Sequence, residues 1–171
     1  SLRSSRRQVN AIPFAIVERL TLYSVRKLLS ETAKQFPWAI ETDLDLLESE
    51  IYNLAMANIL YTIDQDEADF AVSHLMAKSP IEFDLLFDTL MDGNTIFLAT
   101  CIAYGCDLPL SEARGCLTDR LDFRGALEQM YGAGHGRLIA HDLTKLLPHV
   151  LESLNKTGET PSHMRYSATR E

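Results

Sequence analysis

The stretch SPIEFDLLFDTLMDGNTIFLATCIAYG, residues 79–105, predicts two consecutive helices separated by a tight break. Its apolar residues recur every three or four positions, which is the period of an α-helix. Gly93 and Asn94 interrupt that period, because glycine followed by asparagine is typical of a turn. We therefore expect one helix to end at Met91 and another to begin at Thr95.

The same stretch contains residues suited to the outer ends of the two helices. Ser79 followed by Pro80 has the form of an N-cap and a first helical residue, since proline lacks only an N–H that no helix start uses. Gly105 is a typical C-terminal stop, because glycine adopts the left-handed conformation without strain. The sequence thus predicts helices at residues 80–91 and 95–104.

The helical period continues on both sides of this stretch, and no segment alternates with the period of two that marks a strand. Connections of two to six residues favour antiparallel neighbours. We expect an all-α fold of antiparallel helix hairpins, stacked in a HEAT-like or bundle arrangement. About eight helices are expected, with Asp64 and Asp122 as caps and with Gly132, Gly134 and Gly136 forming a turn. The helices span roughly residues 14–35, 43–61, 64–77, 80–91, 95–104, 109–119, 122–131 and 137–155.

The helical pattern delimits the predicted domain organisation. Residues 12–155 form one all-helical domain, with a subdivision near residues 63–64 because the first two helices are longer than the later ones. Residues 1–11 are expected to be a basic flexible arm. Residues 156–171 lack an apolar face and are expected to be a disordered polar tail.

Composition excludes several classes of protein. Of 171 residues, 46% are hydrophobic, which is ordinary for a globular domain and excludes disorder over the whole length. No apolar run approaches the about 20 residues of a membrane helix, so no membrane span is expected. An odd number of cysteines (Cys101, Cys106 and Cys116) does not suit a disulfide framework, which favours a cytoplasmic location.

Charge is distributed unevenly along the chain. The formal net charge is −8, yet residues 1–34 carry +5 and residues 35–113 carry −14. Nucleic-acid binding is disfavoured, because contact with phosphates requires a basic surface. A protein partner of basic character suits the acidic middle, and that partner could be a second copy docking its basic N-terminal helix. The predicted partner-binding residues are Asp43, Asp45, Glu48, Glu50, Asp66, Glu67 and Asp69.

The segment FAVSHLMAKSPI, residues 70–81, resembles the phospho-acceptor segment of sensor histidine kinases. Phosphotransfer would require His74 to be exposed in the middle of a helix, with a free ring nitrogen to attack the phosphoryl donor. Leu75 replaces the acidic residue that normally follows such a histidine, and the proline lies one position too far along. Histidine phosphotransfer through His74 is therefore an alternative hypothesis.

The glycine-rich segment YGAGHGR, residues 131–137, precedes a predicted helix. Its Gly134 and Gly136 backbone N–H groups and the Arg137 side chain could hold an anion at that helix start. The segment lacks the preceding strand and the Lys-Ser/Thr pair of a nucleotide-binding loop, so a simple turn is favoured.

No catalytic or metal-binding motif is recognisable elsewhere. The histidines lack the spacing of zinc ligands, and the acidic clusters lack that of a calcium loop, so no metal and no cofactor are expected. No nucleophile elbow is present. A small-molecule sensor with an apolar pocket between helices stays open as a second alternative.

Four segments resemble the C-terminal part of an alphaproteobacterial helical-repeat family known as domain of unknown function 2336. They are IPFAIVERL (residues 12–20), LFDTLMDGNTIFLATCIA (86–103), PLSEARGCLTD (109–119) and ALEQMYGAG (126–134). The resemblance implies an all-α, HEAT-like fold in the bacterial cytoplasm, and it implies no catalytic activity. Together these features predict a non-enzymatic protein-interaction or scaffold module that binds through an acidic helical surface.

Overall fold

The structure, a computed structural model, describes residues 13–39 and 44–157. This described part consists of eight α-helices and one short 3-10 helix, Pro37–Ala39, and contains no strand, which confirms the all-α prediction. The predicted arm and Asp43 lie outside the described residues. Residues 158–171 of the predicted tail lie outside them as well. The helices are α1 Phe14–Gln35, α2 Leu44–Thr62, α3 Gln65–Met76, α4 Phe83–Met91, α5 Thr95–Cys106, α6 Leu110–Cys116, α7 Arg120–Tyr131 and α8 Ala133–Thr157.

The chain divides into two compact units, Ser1–Tyr52 and Asn53–Glu171, which we call the N-terminal unit and the C-terminal unit. The division falls inside α2, earlier than the subdivision predicted near residues 63–64. A change in helix length suggested that position, whereas the observed division follows from which residues contact each other.

Helix α5 lies at the centre of the C-terminal unit and contacts α3, α4, α6 and α7. Residues 96–102 are all buried, so this helix is covered on every side. An apolar sequence all round a helix is typical of such a core position. Helix α8 packs on α7 and also on α4, which is distant in the chain. Since repeats in a solenoid contact only their neighbours, these contacts describe a bundle rather than a HEAT-like row.

The predicted break before α5 is confirmed, and Asn94 explains its position. The Asn94 side chain accepts a hydrogen bond from the Phe97 N–H at 3.0 Å and donates one to the Leu60 carbonyl at 3.0 Å. Asn94 is buried, so both bonds form away from water. One side chain therefore caps α5 and links it to the C-terminal end of α2.

The predicted start of α4 is wrong. The helix begins at Phe83, and Ser79 and Pro80 are not helical. Ile81 is buried, and its carbonyl accepts a hydrogen bond from the Tyr131 hydroxyl at 2.5 Å. This hydrogen bond joins Ile81, just before the helix begins, to a residue fifty positions later. A local capping pattern cannot reveal such a contact.

The predicted stop at Gly105 is also wrong. Helix α5 continues to Cys106. The next residue, Asp107, is its C-cap and adopts the left-handed conformation at φ +53°. A Cβ at Gly105 would lie 2.8 Å from the Met130 Cγ. Gly105 is therefore suited to the close approach of α5 and α7 rather than to a turn.

The predicted cap of α7 is misplaced by three residues. Asp119, not Asp122, is the N-cap, and its side chain accepts hydrogen bonds from the Leu121 and Asp122 N–H groups. The sequence offers an aspartate at both positions. Only the first stands where its carboxylate reaches the free N–H groups of the first turn.

The predicted glycine turn is shorter than expected. Gly132 alone makes the turn, at φ +87°, and α8 begins directly afterwards. Gly134 and Gly136 belong to α8. A Cβ at Gly136 would lie 2.5 Å from the Glu128 Cα and closer still to the Leu127 carbonyl oxygen. The lack of a side chain at Gly136 therefore permits the backbones of α7 and α8 to come into contact.

Candidate interaction surface

Helix α3 begins at the predicted cap, Asp64, which forms a capping box with Glu67. The Asp64 carboxylate accepts a hydrogen bond from the Glu67 N–H at 2.9 Å, and the Glu67 carboxylate accepts one from the Asp64 N–H at 3.0 Å. Two backbone N–H groups are thereby satisfied at the helix start. This reciprocal pair fixes the first helical residue of α3.

The inner side of α3 is small and apolar, and its outer side is acidic. Ala68, Ala71 and Val72 are buried, whereas Asp66, Glu67 and Asp69 are exposed. Asp69 accepts a hydrogen bond from the Gln65 side chain at 3.0 Å. The predicted acidic residues of this helix therefore lie on the surface of the C-terminal unit.

Phe70 lies among these carboxylates and is 71% exposed. It follows Asp66 by four residues, so the two side chains are neighbours on one side of the helix. Phe70 was not among the predicted partner-binding residues, although its position outside the apolar stripe of α3 was a usable signal. We call Asp66, Glu67, Asp69 and Phe70 the α3 face.

The other predicted partner-binding residues belong to the N-terminal unit. Asp45 and Glu50 on α2 are exposed. Glu48 accepts a hydrogen bond from the Arg26 Nε at 3.0 Å, which links α2 to α1 within that unit. The structure thus divides the acidic residues between two units and engages Glu48 internally.

Helix α1 has a second apolar side that stays exposed among the described residues. Val25 is its buried residue, whereas Ile16, Leu20 and Tyr23 are about half exposed or more and lie on the opposite side. The spacing of four and then three residues aligns these side chains along the helix. Lys27 continues the same line. We call Ile16, Leu20, Tyr23 and Lys27 the α1 face.

His74 lies in the last turn of α3 and is half-buried. It takes part in a contact within the structure, so its ring is not free. The phosphotransfer hypothesis expects an exposed histidine in mid-helix, and this position is neither fully exposed nor central.

Two groups of the predicted anion site make contacts within the structure. The Arg137 Nε donates to the Glu128 carboxylate at 3.2 Å, beside Arg124, which donates to it at 2.8 Å. Hydrogen bonds from Arg124 and Arg137 lower the pKa of Glu128. The Gly136 N–H donates to the Gly132 carbonyl. These groups thus serve the packing of α8 on α7.

The three cysteines are free thiols. Cys101 is fully buried, and burial raises the pKa of its thiol well above the ordinary value. Loss of solvation likewise raises the pKa of Cys106 and Cys116. A raised pKa disfavours the thiolate, which is the nucleophilic form, so none of them has the environment of a reactive cysteine.

Two of the cavities on the described part of the C-terminal unit are open grooves. One, of about 670 Å³, lies among the end of α5, α6 and α7, and the acidic residues Glu112, Asp119 and Asp122 line it. The other, of about 430 Å³, lies between α4 and α8 beside Phe83 and Phe87. Both are open grooves, whereas a small-molecule sensor buries most of its ligand.

The composition and spacing of the described residues bear on two further kinds of site, a metal centre and a membrane span. Within residues 13–39 and 44–157, no group of three His, Cys, Asp or Glu side chains could hold a metal ion. No single helix in this described part is long and apolar enough to cross a membrane. Helices α5 and α6 together have the required length and composition, but they are bent by 113°.

Comparison with known proteins adds no relative to these observations. No protein-family model, no curated protein and no solved structure shows a significant match to the chain. The resemblance to the helical-repeat family therefore stays a prediction, and the function must be argued from the surfaces themselves.

Proposed function

We propose that this chain is a protein-interaction module whose α3 face binds a basic helical segment of a partner protein. The observation that carries the proposal is Phe70, a large aromatic side chain that is 71% exposed among three carboxylates. Aromatic residues are enriched at the cores of protein interfaces, and acidic groups are common at their rims.

The aromatic ring supplies the binding energy in this proposal. Covering a phenylalanine side chain contributes about 1.5–3 kcal/mol relative to leaving it exposed. Energetic anchors of this kind dominate many interfaces, and the surrounding contacts mainly exclude water. Phe70 therefore acts as the anchor of the α3 face.

The carboxylates select the partner. Asp66, Glu67 and Asp69 attract Lys or Arg side chains, and they raise the rate of association more than the affinity. They also repel the phosphates of nucleic acids. The free thiols suit a reducing compartment, so the proposed setting is the cytoplasm.

The test is fluorescence anisotropy with a labelled amphipathic peptide that carries Lys and Leu at helical spacing. We expect the wild-type chain to bind it and Phe70→Ser to weaken binding about tenfold, which corresponds to 1.4 kcal/mol. The double variant Asp66→Asn/Asp69→Asn is expected to slow association and to reduce its dependence on salt.

Matched controls separate docking from plain charge attraction. Leu138 is 67% exposed on α8 of the same unit, so Leu138→Ser should leave binding unchanged. A scrambled peptide of the same composition should bind more weakly than the helical one. Equal binding by Phe70→Ser and the wild type would reject the proposal.

A further inference from the structure

We infer that the partner is a second copy of this chain, whose α1 face packs against the α3 face of the first. This inference rests on the proposed function, because it names the basic helix that the α3 face binds. Four independent observations support it: exposure, the small core of the N-terminal unit, charge and spacing.

Both faces carry exposed apolar side chains in the part of the chain that the structure describes. Leu20 and Tyr23 are 55% and 65% exposed, and Phe70 is 71% exposed. A row of exposed apolar side chains such as that on the α1 face marks an interaction site in folded proteins. Each face therefore has apolar area that a second molecule can bury.

The described residues of the N-terminal unit include few buried hydrophobic side chains. Among its described residues, Val25 is the buried hydrophobic side chain, whereas eight large hydrophobic side chains are exposed. Very small units usually need a metal, a disulfide or oligomerisation for stability. The structure describes no disulfide in residues 13–39 and 44–157, so oligomerisation suits this unit.

Charge favours contact between unlike faces over contact between two α1 faces. Arg19, Lys27 and Lys34 form no ion pair with the described residues. Two α1 faces would offer Lys27 no opposite charge, because Lys27 is the charged residue of that face. The acidic α3 face offers the opposite sign to Lys27.

The spacing of the two faces also matches. Tyr23 and Lys27 are four residues apart on α1, and Asp66 and Phe70 are four residues apart on α3. In each helix that spacing is about 6 Å along the axis. When the helices run antiparallel, Phe70 meets Tyr23 while Asp66 meets Lys27. If both contacts form between the same two chains, they close a dimer around a two-fold axis.

The experiment is sedimentation equilibrium of the full chain across a concentration series. We expect the wild type to shift from 19.2 kDa toward twice that mass, and to shift less at high salt, which screens surface charges. Lys27→Glu alone and Asp66→Lys alone should each weaken association about tenfold, since each replaces two attractions by two repulsions.

A mixture of two charge-reversed variants provides the decisive test of the proposed contact. An equimolar mixture of the Lys27→Glu chain and the Asp66→Lys chain restores opposite charges at both contacts, so we expect it to dimerise like the wild type. Leu138→Ser should leave the mass unchanged. Circular dichroism checks that each variant keeps its helices, and all the changed positions are exposed.

Three results would overturn the inference. Association lost in α1-face variants but kept in Asp66→Lys and Phe70→Ser would indicate pairing of two α1 faces. Failure of the mixture to recover would exclude the proposed pair. A wild-type chain that stays at 19.2 kDa, while its α3 face still binds the basic peptide, would reject the second copy and leave the proposed function standing.

Discussion

Helices α1 and α5 belong to different units and differ chiefly in how many neighbours cover them. Helix α5 contacts four other helices of the C-terminal unit, and residues 96–102 are buried without exception. Helix α1 has one buried residue, Val25, and an apolar second side that stays exposed. An amphipathic helix is stabilised mainly by what it packs against. The described residues thus give the C-terminal unit a well-covered core and leave one apolar side of α1 exposed.

The largest expected effect is on the core of the C-terminal unit. Leu98 is fully buried in α5, so Leu98→Ala should lower the free energy of unfolding by about 2–5 kcal/mol, because it leaves a cavity. Leu20→Ala on the exposed side of α1 is the matched control and should change it by less than about 0.5 kcal/mol in dilute, monomeric protein. Urea unfolding measures both, and equal losses would contradict the contrast.

Glycine substitutions in α8 sharpen the view of packing in the C-terminal unit. A methyl group at Gly136 would overlap the backbone of α7, so Gly136→Ala should destabilise the protein by about 1–3 kcal/mol or more. No atom lies within 4 Å of the corresponding position at Gly134, so Gly134→Ala should stabilise it by about 0.4–1 kcal/mol. Thermal unfolding should therefore shift in opposite directions for two glycines two residues apart.

The two helix caps Asn94 and Asp64 offer a further comparison. Asn94→Ala should cost about 1–3 kcal/mol, because it leaves the buried Leu60 carbonyl without its partner as well as removing a cap. Asp64→Ala removes an exposed cap and should cost about 1 kcal/mol. Denaturant midpoints measure the difference, and a larger loss for Asp64→Ala would show that burial does not govern these caps.

The smallest effect concerns Tyr131, whose hydroxyl donates to the Ile81 carbonyl. Tyr131→Phe should cost about 0.5–1.5 kcal/mol at neutral pH. Burial raises the pKa of Tyr131 above its ordinary value. Above about pH 10 the unfolded chain therefore loses this proton first, and the free energy of unfolding falls as pH rises.

Stability measured from pH 8 to 11 checks the titration of Tyr131. The Tyr131→Phe variant should lose part of the alkaline decline. Identical slopes for Tyr131→Phe and the wild type would contradict the role given to burial.

Local signals in the sequence predicted most of the helices and some of their ends. The apolar period, the Asp64 capping box and the break at Gly93 and Asn94 depend on neighbours within a few residues, so they can be recognised from a short segment. The acidic character of α3 is likewise evident from the order of residues alone. Such features form wherever the segment is placed, because their partners are local.

The ends that were mispredicted depend on distant partners. Ile81 stays outside α4 while bonded to Tyr131, fifty residues later, and Gly105 faces Met130 of another helix. Neither relationship has a local signature. Helix starts and stops at these positions follow from packing between elements rather than from propensity.

Two phenylalanines show the same difference between what the local sequence predicts and what long-range packing decides. Phe70 and Phe97 each lie on a helix, and periodicity assigns each to a side of that helix. Packing leaves Phe70 71% exposed and Phe97 1% exposed. Which side of a helix becomes covered depends on residues far away in the chain, since burial is a property of the assembled bundle. The order of residues specifies the helices and their charge, and long-range packing creates the core and leaves Phe70 as a candidate anchor.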